Sequence, residues 1–136
     1  MPAAVDPDLQ RLLDDYCAAY NAGETDKVLA HLAEDALTLS PDQAPVRGRE
    51  AHRKYFEAGF AREPQRKLTL SSIRSQRFGD LLYDAGEWAN TVGESPGSPG
   101  SPKSPGSRSS SGYYLTVFRR EGDRWKVLAT TFNVKQ

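Results

Sequence analysis

The chain has 136 residues, of which 38% are hydrophobic and 26% charged, and its 18 basic residues balance 18 acidic ones. This length suits one domain, and a net charge of zero provides no field that would attract nucleic acid or an anionic membrane. The single cysteine excludes an internal disulfide. Together with an N-terminal segment that lacks a signal-peptide pattern, it favours a cytoplasmic location. No apolar run approaches the roughly 18 residues of a membrane span, so no membrane partner is expected.

The first part of the sequence predicts two helices. Asp6 and Pro7 suit the start of the first helix and Gly23 suits its end, and apolar residues recur between them at spacings of three and four. A short second helix is predicted to begin at a Thr25 cap, with His31 beside its apolar face. That apolar face is formed by Val28, Leu29 and Leu32.

The following residues predict a strand, a third helix and two long hairpins. Residues 36–40 alternate as a strand does, and residues 50–61 show the spacing of a helix. The hairpins are predicted over residues 67–92 and 112–134. Helices followed by long hairpins are typical of an α+β fold, with three N-terminal helices packed on a strongly curved antiparallel sheet.

Residues 93–112 separate the two hairpins and consist mainly of a Ser-Pro-Gly repeat. The segment has no apolar side chain beyond proline, so it offers no surface whose burial would offset the entropy lost on ordering. We predict a disordered hairpin insertion within a single domain of residues 1–136. Its P-x-x-P spacings and Ser-Pro pairs leave open a ligand for an SH3-type domain or a set of phosphorylation sites.

Several strings resemble the SnoaL-like and nuclear-transport-factor-2-like superfamily: AEDALTLSP, VRGREAHRKYF, DAGEWAN and GYYLTVFRREGDRWKV. The similarity covers residues 8–92 and 112–134. This superfamily includes ketosteroid isomerases, polyketide cyclases, scytalone dehydratase and kinase association domains. The resemblance implies a cone-shaped domain with an internal pocket for a small molecule, and it says little about activity.

The ketosteroid isomerase pattern is only partly present. Tyr16 matches the tyrosine that these isomerases place in the oxyanion hole. Ser40 and Thr116 fall where they carry two aspartates, and a serine hydroxyl is too weak a base to abstract a proton without an activating partner. The same chemistry by the same residues is therefore excluded.

The resemblance also sets which alternate residues of each strand face the pocket. The predicted ligand-binding residues are Tyr20, Thr38, Ser40, Tyr55, Phe56, Trp88, Asn90, Tyr114, Thr116, Phe118 and Phe132. Leu128 and Thr130 are predicted to share the face of Phe132. This set predicts an aromatic cavity for a flat, moderately apolar ligand. No metal-ligand spacing or phosphate-binding loop is present, so action without a cofactor or metal is expected.

Tyr16, His31 and Asp84 are the catalytic candidates. His31 titrates near neutral pH and suits a general base, whereas Tyr16 suits a hydrogen-bond donor to an oxyanion. Asp84 is the carboxylate predicted to lie on the cavity face, and a position at the rim is left open. If the domain is an enzyme, we expect acid–base isomerisation, cyclisation or dehydration of a small aromatic or polyketide-like substrate. The alternative is a non-catalytic ligand-binding or association module.

The outer face of the predicted sheet is apolar as well. Its residues are Tyr83, Ala85, Tyr113, Leu115, Val117, Trp125, Val127 and Ala129. The three helices can cover only one face of a sheet, so an apolar outer face needs another cover. The sequence therefore predicts a homodimer formed through this face.

Overall fold

The computed structural model describes residues 7–92 and 108–135. Its elements in chain order are α1 (Pro7–Ala22), α2 (Thr25–Leu29), β1 (Leu32–Leu39), β2 (Val46–Arg47), α3 (Gly48–Arg62), β3 (Arg66–Phe78), β4 (Leu81–Val92), β5 (Arg108–Glu121) and β6 (Arg124–Phe132). Helices packed on one curved sheet confirm the predicted α+β, cone-shaped class.

One sheet contains all six strands in the order β2-β1-β6-β5-β4-β3. The strands β3 to β6 form an antiparallel meander, whereas β1 pairs with β6 in parallel. The sheet is therefore mixed rather than wholly antiparallel, because β1 is joined to the meander through α3 and not through a tight turn. Its two edge strands, β2 and β3, do not pair with each other, so the sheet is not closed.

The helix boundaries differ from the predicted ones around α2. As predicted, α1 begins at Pro7, and Gly23 follows it with a φ of 70°. Thr25 is the first residue of α2 rather than its cap, and the preceding Glu24 makes no side-chain cap bond. Leu32 begins β1 instead of extending the helix. The predicted cap at Asp6 lies outside the described residues.

The second hairpin begins earlier than predicted. β5 starts at Arg108, and residues 108–112 pair with the end of β4. These residues are therefore strand, not part of a disordered insertion, because a polar serine-rich run can still complete a ladder with a neighbouring strand. The remainder of the predicted insertion, residues 93–107, lies outside the described residues.

A bulge in β6 changes which of its side chains point to the inner face of the sheet. In the β5–β6 ladder Val117 pairs with Ala129 but Phe118 pairs with Val127, so Leu128 is an extra residue. Beyond such a bulge the alternation changes phase. Val127 and Trp125 accordingly pack with the inner cluster that contains Phe118. The prediction that they belong to the outer face, and that Leu128 faces inward, is wrong for this reason.

Two buried apolar clusters join the helices to the inner face of the sheet. One comprises Ala19, Val28, Leu29, Leu32, Ala36 and Phe56. The other comprises Leu9, Leu13, Leu82 and Phe118. Burying each large side chain contributes roughly 1.5–3 kcal/mol, so these clusters hold the helices in place over the sheet. Members of both clusters also line the space between helices and sheet.

Candidate functional site

A cavity of about 280 Å³ lies between the helices and the inner face of the sheet. The helices and the turn after α2 contribute Leu12, Leu13, Tyr16, Tyr20, His31, Tyr55 and Phe56. The sheet contributes Leu32, Thr38, Leu68, Leu70, Trp88, Asn90, Ser110, Tyr114, Thr116, Phe118, Val127, Thr130 and Phe132. A mostly apolar, aromatic wall with a few polar groups is typical of a small-molecule pocket, and this one is near the small end of the usual size range.

All but two of the predicted site residues line this cavity. The first exception is Ser40, which follows the last residue of β1; its hydroxyl lies 3.0 Å from the Tyr55 hydroxyl. Ser40 was placed by its match to the isomerase pattern and Thr38 by alternation from it, but the alternation does not extend to Ser40 because the strand has already ended. The second exception is Asp84, which is on the inner face but fully buried.

Tyr16 and His31 meet in the cavity wall. Their ring centroids lie 6.0 Å apart with the planes at 69°, and Tyr16 also stacks on Tyr20 at 6.1 Å. Neither the Tyr16 hydroxyl nor the His31 ring hydrogen-bonds to another of the described residues. Two polar groups of different chemistry are therefore left for a ligand in the same part of the wall.

Burial determines the protonation of this pair. Desolvation, with smaller contributions from Tyr20 and Tyr55, raises the pKa of the Tyr16 phenol well above its ordinary value. Desolvation also lowers the pKa of His31, against a weaker opposing effect from Asp15. At neutral pH the phenol keeps its proton and the imidazole is uncharged. The imidazole can then accept a proton while the phenol donates a hydrogen bond.

His52 holds Thr38 from behind the cavity wall. Its Nδ1 lies 2.6 Å from the Gly48 carbonyl and its Nε2 lies 2.7 Å from the Thr38 hydroxyl. A carbonyl can only accept, so Nδ1 donates, and in the neutral ring Nε2 accepts from Thr38. Burial lowers the pKa of His52, which favours this neutral form. His52 positions Thr38 and does not line the cavity itself.

Asp84 is connected to the cavity wall through Tyr114. The Tyr114 hydroxyl donates to one carboxylate oxygen at 2.8 Å, and the Ser72 hydroxyl donates to the other at 2.5 Å. Burial raises the pKa of Asp84, and the two hydrogen bonds oppose that shift. Tyr114 reaches Asp84 across Gly86, where a Cβ would lie 2.5 Å from the phenol oxygen. Asp84 therefore anchors a wall residue, and because it is fully buried it does not lie at the rim.

Asn90 differs from the other polar residues of the wall. The Thr116 and Thr130 hydroxyls hydrogen-bond to each other at 2.7 Å, and the Trp88 indole N–H donates to the Asn133 carbonyl at 2.9 Å. Asn90 Oδ1 is buried and has no hydrogen-bond partner in the part of the chain that the structure describes. An acceptor left in this state is unfavourable unless a donor from outside the protein reaches it.

Sequence reasoning missed several lining residues. These are Leu12, Leu13, Leu32, Leu68, Leu70, Ser110 and Val127. No family string covers β3, so nothing set the facing of Leu68 and Leu70. Ser110 was assigned to the insertion. The helical spacing did identify Leu12 and Leu13 as an apolar stripe, but a stripe alone does not distinguish a core contact from a cavity wall.

Two other kinds of site are not found. Within residues 7–92 and 108–135, no group of three or more His, Cys, Asp or Glu side chains is placed to hold a metal ion. In the same residues, no helix combines the length and the apolar character that crossing a bilayer requires.

The helices over a curved mixed sheet, with a cavity between them, define the cone-shaped fold of nuclear-transport-factor-2-like proteins. The model of the SnoaL-like domain family matches residues 13–128. The chain belongs to this SnoaL-like family, as the sequence strings indicated. No curated protein matches the chain significantly.

Solved structures share the fold at low sequence identity. A Mycobacterium tuberculosis protein of unknown function has 19% identity and a TM-score of 0.78, covering 94% of this chain and 74% of that one. A "putative calcium/calmodulin-dependent protein kinase type II association domain" from Thiobacillus denitrificans has 21% identity and a TM-score of 0.76, covering 98% and 100%. A "putative scytalone dehydratase" from Novosphingobium aromaticivorans has 14% identity and a TM-score of 0.79, covering 94% and 82%. Identities this low show a common fold, and activity has to be argued from the site.

Proposed function

We propose that this domain binds a flat, largely apolar small molecule in its cavity and transfers a proton within it, with His31 as the base and Tyr16 as the hydrogen-bond donor. One observation carries the proposal: an uncharged imidazole and a protonated phenol meet in the cavity wall, and the described residues leave both polar groups unpaired. This arrangement can process a carbonyl compound without a carboxylate base.

The substrate of the proposed step is a ketone with an acidic neighbouring C–H. The unprotonated nitrogen of His31 takes the proton, the C–H electron pair forms a C=C bond, and the carbonyl π electrons move onto oxygen. The Tyr16 hydroxyl donates to that oxygen as its negative charge develops. In a β,γ-unsaturated ketone, return of the proton from His31 to the γ-carbon gives the conjugated isomer. In a β-hydroxyketone the enolate re-forms the carbonyl, the new C=C bond forms as the C–OH bond breaks, and the hydroxyl leaves as water with the proton from His31. Partial burial disfavours the imidazolium, which favours its giving up the proton.

The first prediction uses a probe that does not depend on knowing the natural substrate. We expect the domain to accelerate exchange of the α-protons of 2-tetralone for deuterium in D₂O, followed by NMR. His31→Gln keeps a polar side chain but removes the base, so the exchange rate should fall roughly 10²-fold or more. Tyr16→Phe removes the donor and should cost a similar factor, about 10².

A matched control separates the site from general damage. Tyr83→Phe removes a phenol from the outer sheet face, where Tyr83 stacks on Phe78 at 6.2 Å, and it should leave the exchange rate unchanged. Equal rates in the parent and in His31→Gln would contradict the assignment of the base. Binding of 2-tetralone without any acceleration would leave a ligand-binding domain without proton transfer.

The outer sheet face supports a second role, homo-oligomeric association. We define the outer patch as Phe78, Leu81, Tyr83, Tyr113, Leu115 and Val117. Phe78 is 59% exposed, Tyr113 47% and Leu115 45%, which is unusual for several large apolar side chains on one face of a sheet. One structural neighbour bears the name of a kinase association domain. We propose that two copies of this chain pair through the outer patch while each keeps its own cavity.

A further inference from the structure

Asn90 occupies a position where a partner is expected but the protein supplies none. It lies on the inner face of β4, between Leu68 of β3 and Ser110 of β5. Its Oδ1 is the buried side-chain oxygen that the described residues leave without a hydrogen bond. Because an unpaired buried acceptor destabilises a fold, its presence in a cavity wall calls for a function.

The neighbouring indole cannot satisfy this oxygen. The Trp88 N–H is committed to the Asn133 carbonyl at 2.9 Å. That bond depends on Gly112, where a Cβ would lie 2.7 Å from the indole nitrogen and would collide with Asn133 itself. The backbone therefore fixes the indole N–H away from Asn90. The donor that remains for Asn90 is a molecule inside the cavity, which Asn90 lines, and because Oδ1 itself exposes almost no surface the side-chain amide has to turn to meet it.

The residues around Asn90 indicate the shape and polarity of the ligand. Trp88 and Phe132 form an edge-to-face pair with centroids 5.8 Å apart at 85°, and both line the cavity together with Leu68. Aromatic and aliphatic walls of this kind pack against a flat ring and offer it no charge. The polar group that reaches Asn90 is therefore an uncharged donor attached to an aromatic ring.

We propose that Asn90 Oδ1 accepts a hydrogen bond from the ligand, so that the cavity selects hydroxylated aromatic compounds over the same rings with the hydroxyl blocked. This inference rests on the proposed ligand-binding function and specifies its ligand class. It assigns to Asn90 the role of a specificity-determining residue, which binds the ligand without taking part in proton transfer.

The first experiment compares two probes on the parent protein by isothermal titration calorimetry. 2-Naphthol and 2-methoxynaphthalene share one ring system, and only 2-naphthol has an O–H to donate. We expect 2-naphthol to bind about tenfold more tightly, which corresponds to about 1.4 kcal/mol. Equal affinities would overturn the role of Asn90 while leaving a ligand-binding cavity. Binding of neither probe would count against the ligand-binding proposal and this inference together.

The second experiment uses Asn90→Leu, which keeps the approximate size of the side chain and removes the unpaired oxygen. The affinity for 2-naphthol should fall to that for 2-methoxynaphthalene. The melting temperature of the ligand-free protein should rise by about 2–4 °C, because an unfavourable buried acceptor is gone. A residue with a merely structural role would show neither effect. An unchanged preference for 2-naphthol in Asn90→Leu would overturn the inference.

Asn21→Leu is the matched control. The Asn21 amide donates to the Leu68 carbonyl at 3.1 Å and its oxygen accepts from the Leu68 N–H at 2.7 Å. The same substitution there should lower the melting temperature and keep the preference for 2-naphthol. If Asn90→Leu does not fold, the shift of the Asn90 side-chain amide in ¹H–¹⁵N spectra of the parent decides instead. That shift should be larger with 2-naphthol, and equal shifts would overturn the inference.

Discussion

The two faces of the sheet take alternate residues from the same strands, and they treat polar and apolar groups in opposite ways. On the inner face most buried polar groups are paired within the protein, as in Thr116 with Thr130 and Tyr114 with Asp84, and Asn90 Oδ1 is the exception. On the outer face, large apolar side chains such as Leu115 are half exposed. The helices thus cover the inner face around its cavity, whereas residues 7–92 and 108–135 leave the outer face uncovered.

The borders of the outer patch strengthen this contrast. Arg119 lies 2.8 Å from Asp35 and 2.8 Å from Glu121 at one end of the patch. At the other end Lys135 pairs with Glu87. An apolar centre with a charged rim is the usual composition of a protein interface. The cavity and the outer patch lie on opposite faces of the sheet, so a substitution at one should leave the other intact.

The largest expected effect tests how tightly the inner face is packed. A Cβ at Gly86 would collide with the Ser71 carbonyl and would lie 2.5 Å from the Tyr114 hydroxyl. We therefore expect Gly86→Ala to displace Tyr114 from Asp84 and to destabilise the fold by about 2–4 kcal/mol, measured by urea unfolding. Ser71→Thr adds one methyl group to an exposed position on the outer face and should change stability by less than about 0.5 kcal/mol. Similar losses in both variants would remove the contrast between the faces.

The next effect tests the cover of the outer face. Leu115→Lys places a charge in the middle of the outer patch, so we expect the dimer dissociation constant to rise at least about 30-fold, measured by sedimentation equilibrium. Binding of 2-naphthol should not change. Ala61→Lys adds the same charge to an exposed position of α3 and should leave the dimer intact. A parent protein that is monomeric at micromolar concentration would show the homodimer prediction to be wrong.

The alternation of side chains along the strands also explains which parts of the fold and cavity wall could be predicted from the sequence. Helix spacing, hairpin order and family strings predicted the α+β class and most of the cavity wall, because period-two reasoning holds wherever a strand is regular. It failed at the bulge in β6, and it would also fail at the bulge in β3, a strand whose facing the sequence left open. The turn pairs Phe78 with Leu81, and that register would bring Leu70 opposite Ala89 on the outer face. The extra residue near Ile73 instead pairs Leu70 with Trp88 on the inner face.

The polar details of the site were beyond the sequence for a different reason. Which hydroxyl pairs with which partner depends on distances of a few ångströms between elements far apart in the chain. The sequence could mark Asp84 and Asn90 as inward-facing, but not that Asp84 is satisfied by Ser72 and Tyr114 while Asn90 Oδ1 has no partner. Only the structure therefore distinguishes Asn90, the candidate for binding a ligand, from Asp84, which has a structural role.

The smallest expected effect is the pH dependence of stability between pH 7 and pH 5, the range in which histidines titrate, and both histidines of the chain lie on the inner side of the sheet. Burial lowers the pKa of His31 and of His52 below the unfolded value of about 6.5. Each contribution to stability is therefore complete above that pH and is lost as the pH falls through the lowered pKa. Asp84 has a raised pKa, so its contribution is complete below about pH 3.9 and is lost on the way up, which is the opposite sign. We expect the melting temperature to fall by a few degrees between pH 7 and pH 5, and to fall less in His31→Gln. The same pH dependence in the parent and in His31→Gln would contradict a partly buried, uncharged imidazole at position 31.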